Sequence, residues 1–384
     1  MISLGLSAAN HQKLLALLKS SHHINVKIQV LDLNHNYISD VSTRLVDGQI
    51  DVDGEALITR SGKLILFDPT HALHLDSNSP DEGALFMDRM IRIVYNVRDP
   101  LGTFSVDIPL ICGPIRKLDR TGVLLNVEIQ GKEVLALPTA WKARTWPKGW
   151  KKTAVILSIL QGIGEKKWGF IQRWPTTTGP VNMGQSNTPW GVARSIATGM
   201  RYQLYYDARG YAQMRQWPQL TCYTFTEAVL KSEPQVGYDI SNLVNAVEVI
   251  GPIPKGALGY IGATAVAPAT HPLSPQKLAR NGIPQYYPKI IQDSNIKTNV
   301  YARTVATLEL RGGLLMSISV AFQALPGVAA LLEPGDICRL ETSEFNVAFR
   351  VNKFSIPLTA KGTCAVGYNK KVTPNRTAIR LRRR

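Results

Sequence analysis

The chain has 384 residues, of which 45% are hydrophobic, 19% charged and 8% aromatic, a globular composition with apolar mass for more than one core. Predominant disorder is therefore excluded. No apolar run reaches the roughly 20 residues that cross a bilayer, and Lys13 and Lys19 interrupt the apolar N-terminal stretch. We expect neither a membrane anchor nor a secretory signal.

Positive charge is in excess, with 44 Lys+Arg against 28 Asp+Glu and a net charge of +16. Acidic partners such as nucleic acid must therefore be considered. The last fifteen residues contain seven basic residues and no acidic one, so much of the excess lies in a basic tail over 369–384. Cys112, Cys222, Cys338 and Cys364 are far apart and form no C-x-x-C pair, so we interpret them as reduced, buried apolar residues.

The first part of the chain is predicted to be a short helix followed by strands. Residues 1–23 form an N-terminal helix that Ser7 caps. Apolar and polar residues then alternate in several runs between 24 and 137, the pattern of half-buried strands. Asp47-Gly48 and Ser61-Gly62 are interpreted as turns between them. The region 24–137 thus predicts antiparallel strands that close a barrel or a sandwich.

An α+β domain is predicted over 138–220. Thr153 is expected to cap a helix that ends near Gly162, and Thr188-Pro189 to begin a second helix. Residues 202–217 have the pattern of a β-hairpin. Five of the seven tryptophans lie within 141–174, interleaved with lysine and arginine.

Strands return over 221–258 and 313–368, on either side of a predicted helical insertion at 259–312. Gly, Pro and Ala make residues 251–272 too irregular for a regular element. Ser274-Pro275 is expected to open a short helix, and Thr298 to cap a longer one that turns Leu308 inward.

The sequence lacks the motifs of a catalytic or metal centre. Its seven histidines include no H-E-x-x-H, and Gly162-Ile163-Gly164 lacks the third glycine of a dinucleotide loop. The S-x-x-K match at Ser274 is better explained by helix capping. We expect no catalytic residue, no metal and no cofactor.

Two basic segments are the candidate binding sites. In the Trp/Lys segment, indole rings can stack on bases while lysines neutralise phosphates; the interpretation we favour is that the tryptophans pack between domains beneath lysine stems. For the tail, a solvated arm and an arm that contacts an acidic neighbour or DNA are equally supported. The candidate residues are Lys148, Lys151 and Lys152 in the first segment, and Lys370, Lys371, Arg376, Arg380, Arg382, Arg383 and Arg384 in the second.

Several short stretches, in this order, carry a resemblance to a known family. They are 45–50 (LVDGQI), 58–66 (ITRSGKLIL), 188–190 (TPW), 204–211 (LYYDARGY), 242–251 (NLVNAVEVIG) and 332–336 (LEPGD). Together they resemble the baseplate-hub family of phage tails, which includes siphophage tail-tip hubs and the hubs of contractile injection systems. The resemblance covers nearly the whole chain, and none of the stretches is a catalytic signature.

The resemblance implies a β-rich α+β fold with two antiparallel β-barrel domains, 24–137 and 221–258 plus 313–368, and two inserted α/β-containing domains. It implies a non-enzymatic homotrimer whose barrels form a ring that joins the tail tube or distal tail protein to a spike or central fibre. Tape-measure protein or DNA would occupy the lumen. The expected location is the virion tail tip or baseplate, after synthesis in the host bacterial cytoplasm.

Two other functions stay open on the sequence alone. One is a nucleic-acid-binding protein that uses the Trp/Lys segment and the tail. The other is a cell-wall hydrolase with an unrecognised site. Steep salt dependence of DNA binding would favour the first of these, and turnover of peptidoglycan the second.

Overall fold

Strands make up most of the regular structure, as the alternating runs predict. The computed structural model describes residues 2, 4–20, 22–73, 85–138, 142–170, 176–177, 179–185, 187–216, 218–239, 243–253, 259–293, 296, 298–359 and 364–372. The strands are β1 (His23–Asp32), β2 (Tyr37–Asp40), β3 (Leu45–Asp53), β4 (Arg60–Phe67), β5 (Arg89–Arg98), β6 (Ser105–Thr121), β7 (Leu124–Gln130), β8 (Arg144–Trp146), β9 (Val181–Met183), β10 (Tyr202–Tyr206), β11 (Ala212–Gln216), β12 (Thr221–Thr226), β13 (Gln235–Asp239), β14 (Ala246–Ile250), β15 (Gly262–Val266), β16 (Pro288–Gln292), β17 (Met316–Ala324), β18 (Ile337–Glu341), β19 (Asn346–Arg350), β20 (Lys353–Pro357) and β21 (Cys364–Val372).

The α-helices are α1 (Ala8–Leu17), α2 (Lys152–Gly162), α3 (Pro189–Gly199), α4 (Asn299–Gly313) and α5 (Pro326–Ala329). The chain forms two compact units. The first comprises Met1–Glu233, Phe322–Glu341 and Asn346–Gly367; the second comprises Pro234–Ala321, Thr342–Phe345 and Tyr368–Arg384. The finer domain boundaries given above remain a prediction.

The main sheet of the first unit is antiparallel and runs in the order β21-β20-β3-β4-β7-β6-β5-β1-β2. Alternate residues such as Ile50, Leu64 and Val127 are buried on one face, because successive side chains of a strand point to opposite faces. The described residues show no strand pairing that closes this sheet into a barrel. The β-rich α+β class is confirmed, and closure into two barrels remains a prediction.

Strand β6 spans 17 residues and joins two halves of this sheet, one that contains β5, β1 and β2 and one that contains β7, β4 and β3. Its first part pairs with β5, from Ser105 opposite Arg98 to Pro114 opposite Met90. Its second part pairs with β7, ending with Thr121 opposite Leu124. One continuous strand therefore connects the two halves.

Two glycines predicted to lie in turns lie inside strands instead. Gly48 is within β3 and Gly62 within β4. A Cβ atom on Gly48 would lie 2.8 Å from the Lys63 carbonyl oxygen, and one on Gly62 would lie 2.8 Å from Ile50 Cδ1. At Gly48 the neighbouring strand's backbone leaves no room for a side chain, and at Gly62 the Ile50 side chain fills the space, so the prediction of turns there was wrong.

In the first unit, α2 and α3 share a core with the antiparallel strand pair β8–β9 and the β10–β11 hairpin. Its buried side chains include Trp146, Ile156, Leu160, Trp190 and Leu204. Trp146 thus packs within this α+β region, whereas we favoured packing between domains for the tryptophans of 141–174.

The ends of the helices test the predicted caps. The Ser7 and Thr188 hydroxyls accept hydrogen bonds from the Asn10 and Gly191 N–H groups, as predicted. Thr153 is not the cap of α2: the helix begins at Lys152, and the Thr153 hydroxyl is buried without a partner among the described residues.

The second unit contains the three-stranded sheet β15-β14-β16, in which β14 pairs antiparallel with β15 and parallel with β16. Helix α4 packs on one face, where Val247 and Val249 meet Ala302, Ala306 and Leu310. Thr298 caps α4 as predicted.

Three expectations for this unit were wrong. Strand β15 lies in the stretch that was predicted to be irregular. Residues 262–266 have no strand pattern of their own, and they form a strand because they pair with β14. Residues 275–278 form turns rather than a helix. Leu308 is 59% exposed, and Leu310 is the buried residue at that end of α4.

Candidate functional sites

The loop between β3 and β4, residues 54–59, is bound by helix α3. The Trp190 indole N–H donates to the Leu57 carbonyl at 3.2 Å, and the Arg194 guanidinium donates to the Ala56 carbonyl at 2.9 Å. Residues 190 and 194 lie on the same helical face, so a single helix contacts both carbonyls. The loop is thereby fixed to the α+β region.

Trp190 is also the largest buried side chain of that region. It is 1% exposed and stacks on the Tyr206 ring, with ring centroids 5.3 Å apart and planes at 26°. An offset aromatic pair adds to the free energy of burial, and the indole N–H has its partner in Leu57. Trp190 therefore packs α3 against β10 and binds the loop at the same time.

A buried ion pair lies next to this loop. The Arg60 side chain is 2% exposed and the Glu333 side chain 4%, with Nη2 and Oε2 3.0 Å apart. These two atoms make no hydrogen bond to any described residue, so the contact is electrostatic; Arg60 Nη1 donates to the Leu110 carbonyl at 3.1 Å. Burial raises the pKa of Glu333, and the Arg60 charge opposes that rise.

Glu333 belongs to a tight turn that β18 follows. The Asp336 carboxylate accepts from the Glu333 N–H at 2.8 Å and pairs with the Arg215 guanidinium at 3.3 Å. Gly335 has φ of 95°, a backbone conformation that favours glycine. Pro334 and Gly335 form this turn, which presents Glu333 to Arg60.

A second buried carboxylate connects the loop to β10. Glu133 is 0% exposed, and its Oε1 accepts from the backbone N–H groups of Thr59 and Tyr206 at 3.4 and 3.3 Å. Burial raises the pKa of Glu133, and these hydrogen bonds oppose the rise. One side chain thus holds the end of the loop and the end of β10, which are distant in sequence.

A second buried ion pair involves Lys132 and Glu165, with Nζ and Oε2 2.6 Å apart. The same ammonium lies 3.1 Å from His35 Nε2. Burial and the Lys132 charge lower the pKa of His35 to about 4, so its ring is neutral at pH 7 and Nε2 accepts the bond. The proton of this ring then resides on Nδ1, which faces the Cys112 sulfur at 3.8 Å.

The Cys112–His35 pair has the residue types of a nucleophile and its base. Cys112 is 1% exposed, and burial raises the pKa of its thiol to about 12. A thiol with this pKa carries almost no thiolate at neutral pH, and thiolate is the nucleophile. The arrangement therefore packs β6 against the His35 turn and does not activate the sulfur.

The structure places the three predicted basic residues of the Trp/Lys segment at the start of α2. Lys148 and Lys151 are exposed and Lys152 is partly exposed, and none of them pairs with an acidic residue in the described parts of the chain. Trp150, between them, is 42% exposed. These four residues, which are close in sequence, are thus all at least partly exposed.

Only two of the seven candidate residues of the basic tail lie among the described residues. Lys370 and Lys371 lie in β21, and the placement of their side chains is not described. Arg376, Arg380, Arg382, Arg383 and Arg384 lie outside the described residues.

Positive charge is concentrated in the α+β region as well as in the tail. Residues 138–216 contain twelve Lys+Arg and only two Asp+Glu, whereas residues 1–137 contain thirteen and sixteen. Both acids of the region act internally: Glu165 pairs with Lys132, and Asp207 accepts from the Arg209 and Tyr211 N–H groups at 2.9 Å. The surface of the region is therefore strongly basic.

Comparisons with known proteins then bear on the fold. No protein-family model and no curated protein matches the sequence. The 43 kDa tail protein of prophage MuSo2 from Shewanella oneidensis is similar in structure, with a TM-score of 0.59 at 10% identity over 91% of this chain and 98% of that one. The tail protein from Neisseria meningitidis MC58 gives 0.56 at 10% identity, over 90% and 97%. The chain has a phage tail-protein fold.

A third solved structure is also similar to this chain. A chain of the half-lidded PdpA-VgrG complex of Francisella has a TM-score of 0.51 at 8% identity, over 97% of this chain and 62% of that one. The predicted resemblance to tail hubs thus agrees with the fold of solved phage-tail and VgrG-complex structures.

Four of the six stretches that carry the resemblance contain residues that stabilise the fold. Arg60 and Glu333, from the second and last of the six stretches, form the buried ion pair, and Trp190 of the third binds the loop beside it. In the fourth, Gly210 has φ of 77° in the turn that Asp207 organises. Arg60, Glu333 and Trp190 have partners that are far away in the sequence, so the sequence alone did not show these contacts. The available signal was a charged residue within an otherwise apolar run.

Two further observations concern the part of the tail-protein fold that is described. It contains no helix that combines the length and the apolar character needed to span a membrane. It also contains no group of three or more His, Cys, Asp or Glu side chains placed to hold a metal ion.

Proposed function

We propose that this chain is a structural hub protein of a phage tail tip or baseplate, which joins the tail tube or distal tail protein to a spike or central fibre. The observation that carries the proposal is the extent of the match: the fold covers 91% of this chain and 98% of the MuSo2 tail protein. A whole-chain match supports a shared architectural role more strongly than a match of one domain would. In this role the chain works in the virion, after synthesis in the bacterial cytoplasm, and performs no catalysis.

The hub is proposed to be a homotrimer in which the strands of 24–137 and of 221–258 with 313–368 build two barrels and a ring. The edge of the main sheet supports this. Strand β2 is the last strand, pairs only with β1 in the described residues, and exposes Tyr37 (58%) and Ile38 (41%). Unpaired backbone groups beside exposed apolar side chains favour pairing with another chain. The lumen of the ring would pass tape-measure protein or DNA.

The oligomeric state tests this proposal. We expect the purified chain to have a trimeric native mass and to form rings with a central hole in electron micrographs. Ile38→Lys places a charge on the β2 edge and should shift the protein to monomers, because a charged edge opposes strand pairing. Leu101→Lys, at an 86% exposed loop position, should leave the trimer intact.

A wild-type chain that stays monomeric at all concentrations would contradict the ring. A trimeric Ile38→Lys variant would contradict the assignment of β2 as the interface.

The basic surface of residues 138–216 favours a second candidate function, binding of nucleic acid. Lys148, Lys151 and Lys152 flank the exposed Trp150 in the sequence and have no described acidic partners. Ammonium groups neutralise phosphates, and an exposed indole can stack on a base. The tail from Lys370 to Arg384 would add to this attraction or contact a neighbouring subunit.

We expect the Lys148→Gln, Lys151→Gln, Lys152→Gln triple variant to bind DNA more weakly than the wild type. Each lost phosphate contact reduces the slope of log affinity against log salt by about 0.9, so the slope should fall by roughly two to three. Fluorescence anisotropy with a labelled duplex, at several salt concentrations, measures it. The matched control replaces Lys27, Lys63 and Lys117 of the main sheet by glutamine; equal slopes for the two triple variants would refute a local site.

A further inference from the structure

Two cysteines that are 116 residues apart in the sequence meet in the first unit. Cys222 lies on β12 and Cys338 on β18, and their sulfur atoms are 3.8 Å apart. Cys338 is fully buried, whereas Cys222 is partly exposed. Cys222 is therefore the more accessible residue of the pair, and the Cys338 sulfur is held directly beside its sulfur.

The pairing of the strands explains why the sulfurs meet. Strands β12 and β18 are parallel, with Tyr223 opposite Cys338 and Thr221 opposite Ile337. The register is irregular between Thr221 and Tyr223, so Cys222 is the extra residue of a bulge. In the register that Tyr223 sets, a regular strand would turn Cys222 to the face opposite Cys338, because neighbouring residues alternate between the two faces. The bulge redirects its sulfur.

We propose that Cys222 and Cys338 are a cross-linking site, at which a reversible disulfide joins β12 to β18. Neighbouring strands lie about 4.8 Å apart, which is within the Cα separation of roughly 4.4–6.8 Å that disulfides span. The sulfurs must close to about 2 Å, a movement within the range of side-chain rotation at the more exposed residue.

The reaction we assign is thiol–disulfide exchange with a small disulfide such as oxidised glutathione. The Cys222 thiolate attacks one glutathione sulfur, forming a mixed disulfide and releasing the first reduced glutathione. The Cys338 sulfur then attacks the Cys222 sulfur, which breaks the mixed disulfide and releases the second. Both thiol protons end on the released glutathiones. The protein loses two electrons, and the glutathione disulfide gains them.

Electrostatics favours this order of attack. A hydrogen bond from the Cys338 thiol lowers the pKa of Cys222, and the same interaction raises the pKa of Cys338. The partly exposed Cys222 thus has the larger thiolate fraction and reacts first. The other two cysteines are less reactive, because burial raises the pKa of Cys364 and of Cys112. The Cys112 sulfur faces His35.

The cross-link has a consequence for the chain. The disulfide would close a loop that begins at β12 and ends at β18 and contains all of Pro234–Ala321, the main part of the second unit. Both chain connections to this segment would then be joined covalently. A tail particle leaves a reducing cytoplasm for an oxidising medium, so the bond would form after release; this timing alone rests on the proposed function.

Peptide mapping of the full-length chain tests the proposal. The protein is incubated with oxidised glutathione, its free thiols are alkylated, and it is digested with trypsin without reduction. Fragments 216–231 and 312–339 each contain one cysteine. We expect them as a single species two hydrogens lighter than their sum, which separates on treatment with dithiothreitol.

Two variants provide the controls. Cys222→Ser should abolish the linked species, while Cys112→Ser should retain it. Oxidation should also raise the melting temperature of the wild type but not that of Cys222→Ser, because a closed loop restricts the unfolded chain. The proposal is overturned if the wild-type fragments are recovered separately, if Cys222 retains glutathione while Cys338 is alkylated, or if either residue links to another cysteine. The wild-type result decides the matter even if a variant fails to fold.

Discussion

Replacing Arg60 by methionine lowers the free energy of unfolding of the first unit by about 3–5 kcal/mol, because Glu333 then stays buried without its cation. Glu333→Leu should cost a similar amount by isolating Arg60. The measurement is guanidinium denaturation followed by tryptophan fluorescence. All seven tryptophans lie between 141 and 217, so this signal reports on the first unit alone.

The double variant Arg60→Met, Glu333→Leu distinguishes a buried charge from lost packing. With both charges removed, we expect most of the lost stability to return, since apolar residues of similar size often replace a buried ion pair without cost. The exposed pair of Lys117 and Asp119 is the control, and Lys117→Gln should change the free energy by less than about 1 kcal/mol. A single variant within 1 kcal/mol of the wild type would argue against a buried charge at this site.

Replacing Asp68 by asparagine is the second large effect, and it depends on pH. The Asp68 carboxylate is buried and pairs with Arg44 at 2.9 Å and with Arg120 at 2.6 Å. It also accepts from the Ala72 N–H at 3.1 Å. Because hydrogen bonds to a charged group are worth roughly 1.5–3 kcal/mol, we expect a loss of about 2–3 kcal/mol at pH 7.

The sign of the pH dependence follows from the pKa of Asp68. Burial by itself would raise this pKa, but hydrogen bonds from Arg120 and from backbone N–H groups outweigh burial and lower it. The folded state therefore releases its proton more readily than the unfolded chain, whose value is about 3.9. The stabilising contribution is complete above that value and disappears as the pH falls through the folded pKa.

Denaturation of wild type and Asp68→Asn at a series of pH values measures this difference. We expect the two stabilities to converge below about pH 4. Asp119→Asn, at a side chain that is 52% exposed, should show little effect at any pH. A difference that stays constant into the acid range would show that Asp68 acts through shape and not through charge.

Features specified by neighbouring residues were predicted well. Ser7 and Thr188 each begin a helix because a side-chain oxygen meets an N–H three residues later. Strand β1 follows the alternation of Ile24, Val26 and Ile28. These signals are local, so a single sequence contains them completely.

Features that need a distant partner were missed. Strand β15 forms because β14 pairs with it, and its small residues carry no signal of their own. Arg60 contacts Glu333 and Cys222 contacts Cys338, although the members of each pair are far apart in the sequence. Residue spacing predicts only contacts between residues that are close in sequence. Lys148, Lys151 and Lys152 are at least partly exposed, but exposure and charge do not identify a partner, so their role as contact residues stays a prediction.

The long strand β6 has a mechanical consequence. Its N-terminal part is hydrogen-bonded to β5 and its C-terminal part to β7, so a pull that separates these neighbours along the strand axis is transmitted through one covalent backbone. Rupture would then require many ladder bonds to slide together in shear, instead of unzipping one after another. Strand β6 would therefore resist tension that is applied along its axis between β5 and β7.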